Sequence, residues 1–195
     1  LVLVDAGVEI DSLYTADVTR TIPVDGRFTA EQRRVYEAVL EAADAAFARA
    51  NEPGCRFKDL HAAAMEVIAA RLEEWGLLPD GVTAADSLGP EGQYHRRWMV
   101  HGTSHHLGLD VHDCAQARRE MSMDAELVPG MVFTIEPGLY FRADDLRVPA
   151  ELRGTGVRIE DDVVVREDGR IDYLTAAIPR TADDVEAWVS GLIAQ

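Results

Sequence analysis

Residues 1–24 read LVLVDAGVEIDSLYTADVTRTIPV: two runs rich in β-branched residues, Val2–Ile10 and Ala16–Val24, either side of a short polar segment at Asp11-Ser12. Apolar β-branched stretches joined by a polar turn predict a β-hairpin. If Asp5 and Asp17 oppose each other, the pairing centre falls at residue 11, inside that turn. Opposed residues carry their Cβ atoms roughly 4.5–5.5 Å apart on one face. Two carboxylates held that way repel and call for a cation. Taken alone, the pair reads equally well as two solvated aspartates, with Asp5 explained by turn chemistry before Ala-Gly. Asp11 reads as a turn residue.

Working outward, Thr29 with Gln32 three positions on forms a capping-box signature. Val35, Val39, Ala42, Ala46 and Phe47 carry a helical stripe from there until Asn51-Glu-Pro-Gly54 stops it. A second helix is predicted from about Lys58 to Trp75, with Gly76 closing it. Pro79 to Gln93, rich in Gly, Asp and Pro, reads as loop. Four strand-like runs follow: WMVHG (98–102), LGLDVH (107–112), MVFTIEPGLY (131–140) and VRIEDDVVVRE (157–167). Asp168-Gly169 marks a hairpin turn into Ile171–Ala177, and Thr181 with Asp184 caps a closing helix to Ala194. There are no repeats. The sum is an α+β domain: a strongly curved antiparallel sheet carrying the polar site, with helices on its outer face.

The chain has 195 residues, 47% of them hydrophobic, which suits one domain with a sizeable core. Nineteen basic against thirty-five acidic residues give −16, which argues against a nucleic-acid partner or an anionic membrane surface. Two cysteines, Cys55 and Cys114, exclude a disulfide framework and a Cys zinc site. Cys114 reads as a small buried hydrophobe. Without a long apolar run or a signal peptide, the expected setting is cytoplasmic. The chain opens without Met on a strand already under way. It therefore reads as a single unit, 1–195, cut from a longer protein and incomplete at its N-terminus.

Further along lie the residues suited to chemistry. Glu136 ends an apolar strand, where burying a charge without a partner is costly. Glu160 lies among apolar neighbours, and Arg158, two residues before it, shares its strand face and can hold ligand carboxylates in place. Of Asp161 and Asp162, at least one should face solvent. Four of the six histidines, His101, His105, His106 and His112, fall within twelve residues. His105 reads as a metal ligand, His101 and His112 as groups facing a substrate, and His106 as structural. With Asp5 and Asp17, this makes four carboxylates and one imidazole, the ligand set of a two-metal hydrolytic centre.

The order DAG (5–7), DVTRT (17–21), HGTSHHLGLDVHD (101–113), IEPGLY (135–140) and VPAELRGTGVRIEDD (148–162) resembles the catalytic domain of the pita-bread metallopeptidases. Within them it is similar to the branch of Xaa-Pro aminopeptidases and prolidases. The resemblance implies a pita-bread fold lacking its N-terminal part and the separate N-terminal domain. It implies that Asp5, Asp17, His105, Glu136 and Glu160 bind two divalent metals, with Asp17 and Glu160 bridging. It also implies a peptide substrate with proline at the second position, contacted by His101 and His112, and a homo-oligomer in the full-length protein. Glu136 would shuttle the proton to the departing proline nitrogen, supported by Arg158. Mostly oxygen donors favour Mn²⁺, with Zn²⁺ or Co²⁺ as alternatives. A dipeptidase, or less readily a non-catalytic binding module, shares the same motifs. Tyr140 and Trp98 are candidates for the proline-ring pocket. Twelve residues separate the two aspartates, one more than this resemblance leads one to expect, and an extra turn residue between Glu9 and Tyr14 would absorb it.

Overall fold

The computed structural model of the protein describes residues 1–194. Strands β1 (Val2–Glu9) and β2 (Thr15–Ile22) form the expected hairpin. Helices α1 (Ala30–Ala50), α2 (Phe57–Glu74) and α3 (Ala84–Leu88) follow. Then come β3 (Val132–Ile135), β4 (Gly138–Tyr140), β5 (Gly156–Arg158), β6 (Asp161–Val165), β7 (Ile171–Tyr173) and α4 (Ala182–Ile193). Every ladder is antiparallel: β1-β2, β3-β6-β7 and β4-β5.

Helix α1 starts where its capping box predicts. Gln32 N–H donates to the Thr29 hydroxyl at 3.2 Å, and Thr29 N–H to the Gln32 side chain at 3.1 Å. Its inward face is mostly alanine around Val35, Tyr36 and Val39, so α2 packs close against it through Leu60, Ala64, Ile68 and Leu72. Phe133, Ile135, Leu139, Val157, Ile159 and Val163 supply the sheet side of the same core. Closure of α2 uses Gly76 at φ +67°, a left-handed position that glycine adopts without strain. The Pro79–Gln93 stretch is not all loop. Thr83 and Asp86 form a capping box that nucleates α3.

Three strand expectations are corrected. WMVHG and LGLDVH form no strands. WMVHG leaves a 3₁₀ turn at Tyr94–Arg97, and LGLDVH folds into a tight loop in which Asp113 N–H returns to His106 O at 3.0 Å. Residues 103–107 run along β3 instead, with Glu136 N–H donating to Thr103 O (2.7 Å), Thr134 N–H to His105 O (2.9 Å) and Leu107 N–H to Val132 O (3.0 Å). VRIEDDVVV is two strands, broken at Ile159-Glu160. β5 pairs with β4 and β6 with β3, so the chain must step between ladders. At that step Glu160 N–H bonds Thr19 O at 3.0 Å, stitching β2 to the rest.

The hairpin register also differs from face-to-face aspartates. Asp5 pairs with Thr19, and Asp17 with Gly7. The turn is longer than Asp11-Ser12: Ile10 N–H bonds Tyr14 O (3.1 Å), and Leu13, at φ 68°, closes it through Ile10 O (2.7 Å). The register moves by two residues, so Asp5 and Asp17 remain on one face as diagonal neighbours. Cys55 is buried as a small hydrophobe, but Cys114 is exposed, in a left-handed loop position (φ 57°) outside the core.

Candidate metal centre

Asp5, Asp17, His105, Glu136 and Glu160 converge at the seam between the hairpin and the β3–β6 ladder. Their ligand atoms form overlapping groups lying within 4.8 Å: Asp5, Asp17 and Glu160; His105, Glu136 and Glu160; and Asp17, His105 and His112. Asp17, His105 and Glu160 each belong to two groups. Placement of Asp17 depends on Gly7, because a Cβ there would lie 2.6 Å from Ala16 O.

His105 is aimed by its backbone. Its N–H donates to Thr134 Oγ1 at 3.2 Å, and its Nδ1 lies 3.2 Å from His106 O. A proton on Nδ1 in that contact leaves Nε2 facing Glu136 (3.4 Å), Asp17 (3.5 Å) and Glu160 (3.8 Å). Glu160 is fully buried, and its Oε2 accepts from Thr19 Oγ1 at 2.6 Å. Arg158 projects onto the site as the strand period predicts. It reaches Asp5 through Nη2 (2.5 Å), Thr19 Oγ1 through Nε (3.1 Å) and the Tyr140 hydroxyl through Nη1 (3.1 Å).

His101 and His112 flank the centre. His101 Nε2 lies 2.6 Å from the Tyr140 hydroxyl, and its Nδ1 is 2.7 Å from Gly102 O and 3.7 Å from Glu136. The His112 ring sits edge-on to His105 with centroids 4.3 Å apart. His106 stacks on Phe57 at 4.3 Å, away from the cluster, as a structural histidine should. Trp98 does not line the site: it is buried, with its indole N–H on Asp145 at 3.2 Å. Tyr140 does border it.

The expectation that Asp161 or Asp162 meets solvent is corrected, since both are buried. Asp161 is neutralised by Arg20 (2.6 Å) and Arg180 (3.2 Å) and accepts from Thr175 (2.7 Å). Asp162 accepts Asp17 N–H at 3.3 Å, while its Oδ1 has no partner. Thr19 and Arg20 went unrecognised in the sequence, although Thr19, two residues from Asp17 on a strand, must share its face. Arg20, on the opposite face, ties Thr19 O (2.9 Å) and Glu160 O (2.7 Å) from behind.

The electrostatics fit a divalent cation. Burial, then repulsion from Glu160, pushes the Asp17 carboxyl up to about 6. Burial and the same repulsion push Glu136 up to about 8. Burial raises Asp162 to about 7. Burial alone would lower His105, but its bond to Glu160 and the surrounding carboxylates raise it to about 8. Acids that resist ionisation beside an imidazole that holds its proton mark a cluster short of positive charge. Four carboxylates and one imidazole form a donor set that hard divalent ions satisfy.

Residues 1–167 match the model of a family described as metallopeptidase family M24. The chain is 56% identical over 190 residues to Xaa-Pro aminopeptidase 2 of Streptomyces coelicolor, covering 97% of this chain and 39% of that protein. It is 41% identical over 187 residues to the Xaa-Pro aminopeptidase of Escherichia coli, covering 96% and 40%. Among solved structures, aminopeptidase PepP of Pseudomonas aeruginosa superposes with a TM-score of 0.89 at 39% identity, covering 99% of this chain and 42% of that one. Thus the chain spans about two fifths of the length of the relatives it matches.

Proposed function

The chain belongs to metallopeptidase family M24, a divalent-metal-binding unit in the pita-bread fold, and on that premise we propose that it is the catalytic part of an Xaa-Pro aminopeptidase. Two divalent ions, Mn²⁺ foremost given the oxygen-rich donor set, would be shared by Asp17 and Glu160. Asp5 would hold one, and His105 with Glu136 the other. The observation that carries this is Glu160, common to the Asp5–Asp17 group and to the His105–Glu136 group, with Asp17 reaching from the first group to within 3.5 Å of His105 in the second. When bound, such ions polarise the scissile carbonyl and lower the pKa of a water toward about 7.

The remaining steps belong to side chains of this chain. Glu136, at the inner end of β3, takes the proton from the attacking water and returns it to the departing proline nitrogen. That nitrogen is a tertiary amide without N–H, so it must be protonated as it leaves. His101 and His112 flank the position of the scissile bond and donate to the substrate carbonyl or the developing oxyanion. Arg158 keeps Asp5 in place and, through Tyr140, fixes the ring of His101. No helix among the described residues is long and apolar enough to cross a membrane. Two unpaired cysteines suit a reducing, cytoplasmic setting.

The test is metal content and turnover together. After dialysis and reloading with Mn²⁺, two ions per chain are expected, with release of the residue preceding proline from Xaa-Pro peptides. Asp17→Asn and Glu160→Gln should lose both ions and turnover. One tightly bound ion per chain, or metal binding indifferent to both substitutions, would refute the proposal.

A further inference from the structure

Beside His101 lies a cavity of about 560 Å³. Phe57, Met99 and Met123 give its lining an apolar part, and His61, Arg96, Arg119 and His101 a cationic or hydrogen-bonding part. The chain carries thirty-five acidic residues, yet none contributes to this wall. Arg119 is tied to Asp124 at 3.0 Å, but the exposed Arg96 guanidinium has no ion-pair or hydrogen-bond partner among the described residues. His61 Nδ1 lies 2.9 Å from the Thr103 hydroxyl, and Thr103 O receives Glu136 N–H at 2.7 Å. With the threonine hydroxyl donating to Nδ1, Nε2 of His61 carries the proton and is free to donate. Ser104 Oγ is buried in the same wall without a partner.

We propose that this cavity is a carboxylate-binding subsite for the part of the peptide downstream of proline, in which Arg96 and His61 hold an anionic group while Phe57, Met99 and Met123 receive apolar side-chain surface. The assignment rests on the aminopeptidase reading for its orientation: His101 belongs both to the metal centre and to the cavity, so peptide leaving the scissile bond past His101 enters it. An unpaired guanidinium and a free imidazole N–H in a cavity partly lined by apolar side chains suit a carboxylate closing a short peptide. A side-chain carboxylate at the same distance from proline offers the same chemistry.

The test uses the chain loaded with diamagnetic Zn²⁺, so that ring resonances near the centre stay sharp, and proline-first ligands that need no turnover. Binding of Pro-Leu, Pro-Leu amide and Pro-Asp amide is followed by calorimetry and by the ring resonances of His61, assigned with His61→Gln. Pro-Leu is expected to bind about tenfold more tightly than its amide, as one charge-assisted contact would give, and to shift the His61 signals. Arg96→Gln should bring Pro-Leu down to the level of the amide. Pro-Asp amide matching Pro-Leu would extend the subsite to acidic side chains, and matching Pro-Leu amide would restrict it to the chain terminus. Equal affinity for acid and amide, or unmoved His61 signals, overturns the subsite. Cleavage of Ala-Pro-Leu is measured alongside. Acid preference without cleavage sinks the peptidase reading alone, and cleavage without acid preference sinks the subsite alone.

Discussion

Thr19→Val offers a sharp perturbation of the metal centre, because it removes one oxygen and leaves shape intact. Thr19 is fully buried, and its hydroxyl does two things at once: it donates to Glu160 Oε2 at 2.6 Å and accepts from Arg158 Nε at 3.1 Å. Valine fills the same volume but leaves Glu160 with one donor fewer and Arg158 Nε without its hydrogen bond, 4.0 Å from Glu160 Oε2. Loss of a buried donor to a charged group costs about 1.5–3 kcal/mol. Much of that cost falls on the orientation of Glu160, and removing such an outer partner typically weakens metal binding about 10–100-fold. The strand itself should persist, since the β1–β2 ladder does not use the Thr19 side chain and Thr19 C=O still accepts from Glu160 N–H. Mn²⁺ affinity by competition with a chelating dye, alongside circular dichroism, gives the comparison. An affinity within twofold of the parent, with the fold intact, would refute the idea that Thr19 positions the shared carboxylate.

Gly138→Ala should act on the site through Tyr140. A Cβ there would lie 2.4 Å from the Tyr140 hydroxyl and 2.7 Å from Cζ, so the ring must swing away from His101 and Arg158. A loss of about 2 kcal/mol and a melting temperature lower by roughly 4–8 °C follow, and a variant as stable as the parent would contradict the packing described. Metal-free protein should lose stability as pH rises. Asp17, ordinarily near 3.8, sits near 6 in the fold, and Glu136, ordinarily near 4.5, sits near 8. The folded state therefore keeps protons that the unfolded chain releases, a contribution complete below about 4 and lost through about 8. His105, raised from 6.5 to about 8, adds a term of the same sign, present below 6.5 and lost through 8. Scanning fluorimetry of the chelator-treated chain should show melting falling between pH 5 and 8.5, and a flat or rising curve would count against this charge balance. Metal loading should release protons, and in calorimetry at pH 6.5 the apparent heat should change with the ionisation enthalpy of the buffer. Buffer-independent heats would refute it.

How far the sequence carried the reading follows from which interactions are local. The capping box at Thr29/Gln32 and the N-cap at Thr181 with Asp184 are four-residue patterns, and both helices begin where these residues predict. The carboxylates and His105 stood out because charge and imidazole in apolar surroundings need an explanation. The hairpin register did not show, because it turns on Leu13 entering a left-handed conformation that its side chain disfavours. Burial of Asp161 and Asp162 was equally hidden. The partners that make it tolerable, Arg20, Arg180, Thr175 and the Asp17 N–H, lie from 14 to 145 residues away. Apolar runs at 98–102 and 107–112 carried strand-like composition, but no ladder had room for them. Residues 103–107, which reach only the first position of the second run, took the place beside β3.

The ligands lie at positions 5, 17, 105, 136 and 160, a spread with consequences for kinetics. No stretch of the chain shorter than 56 residues (105–160) holds more than two of them, and the other two lie 88 or more positions before that stretch, so no early local structure can grip a metal ion. Closing the centre needs the hairpin docked on the step at Ile159-Glu160, a contact of high sequence separation that forms after the helical pair. Metal should therefore leave the refolding rate nearly unchanged and slow unfolding instead, since it binds what the transition state has yet to assemble. In this protein the ion acts as a latch on a finished structure, in contrast to the small zinc domains that fold around their metal.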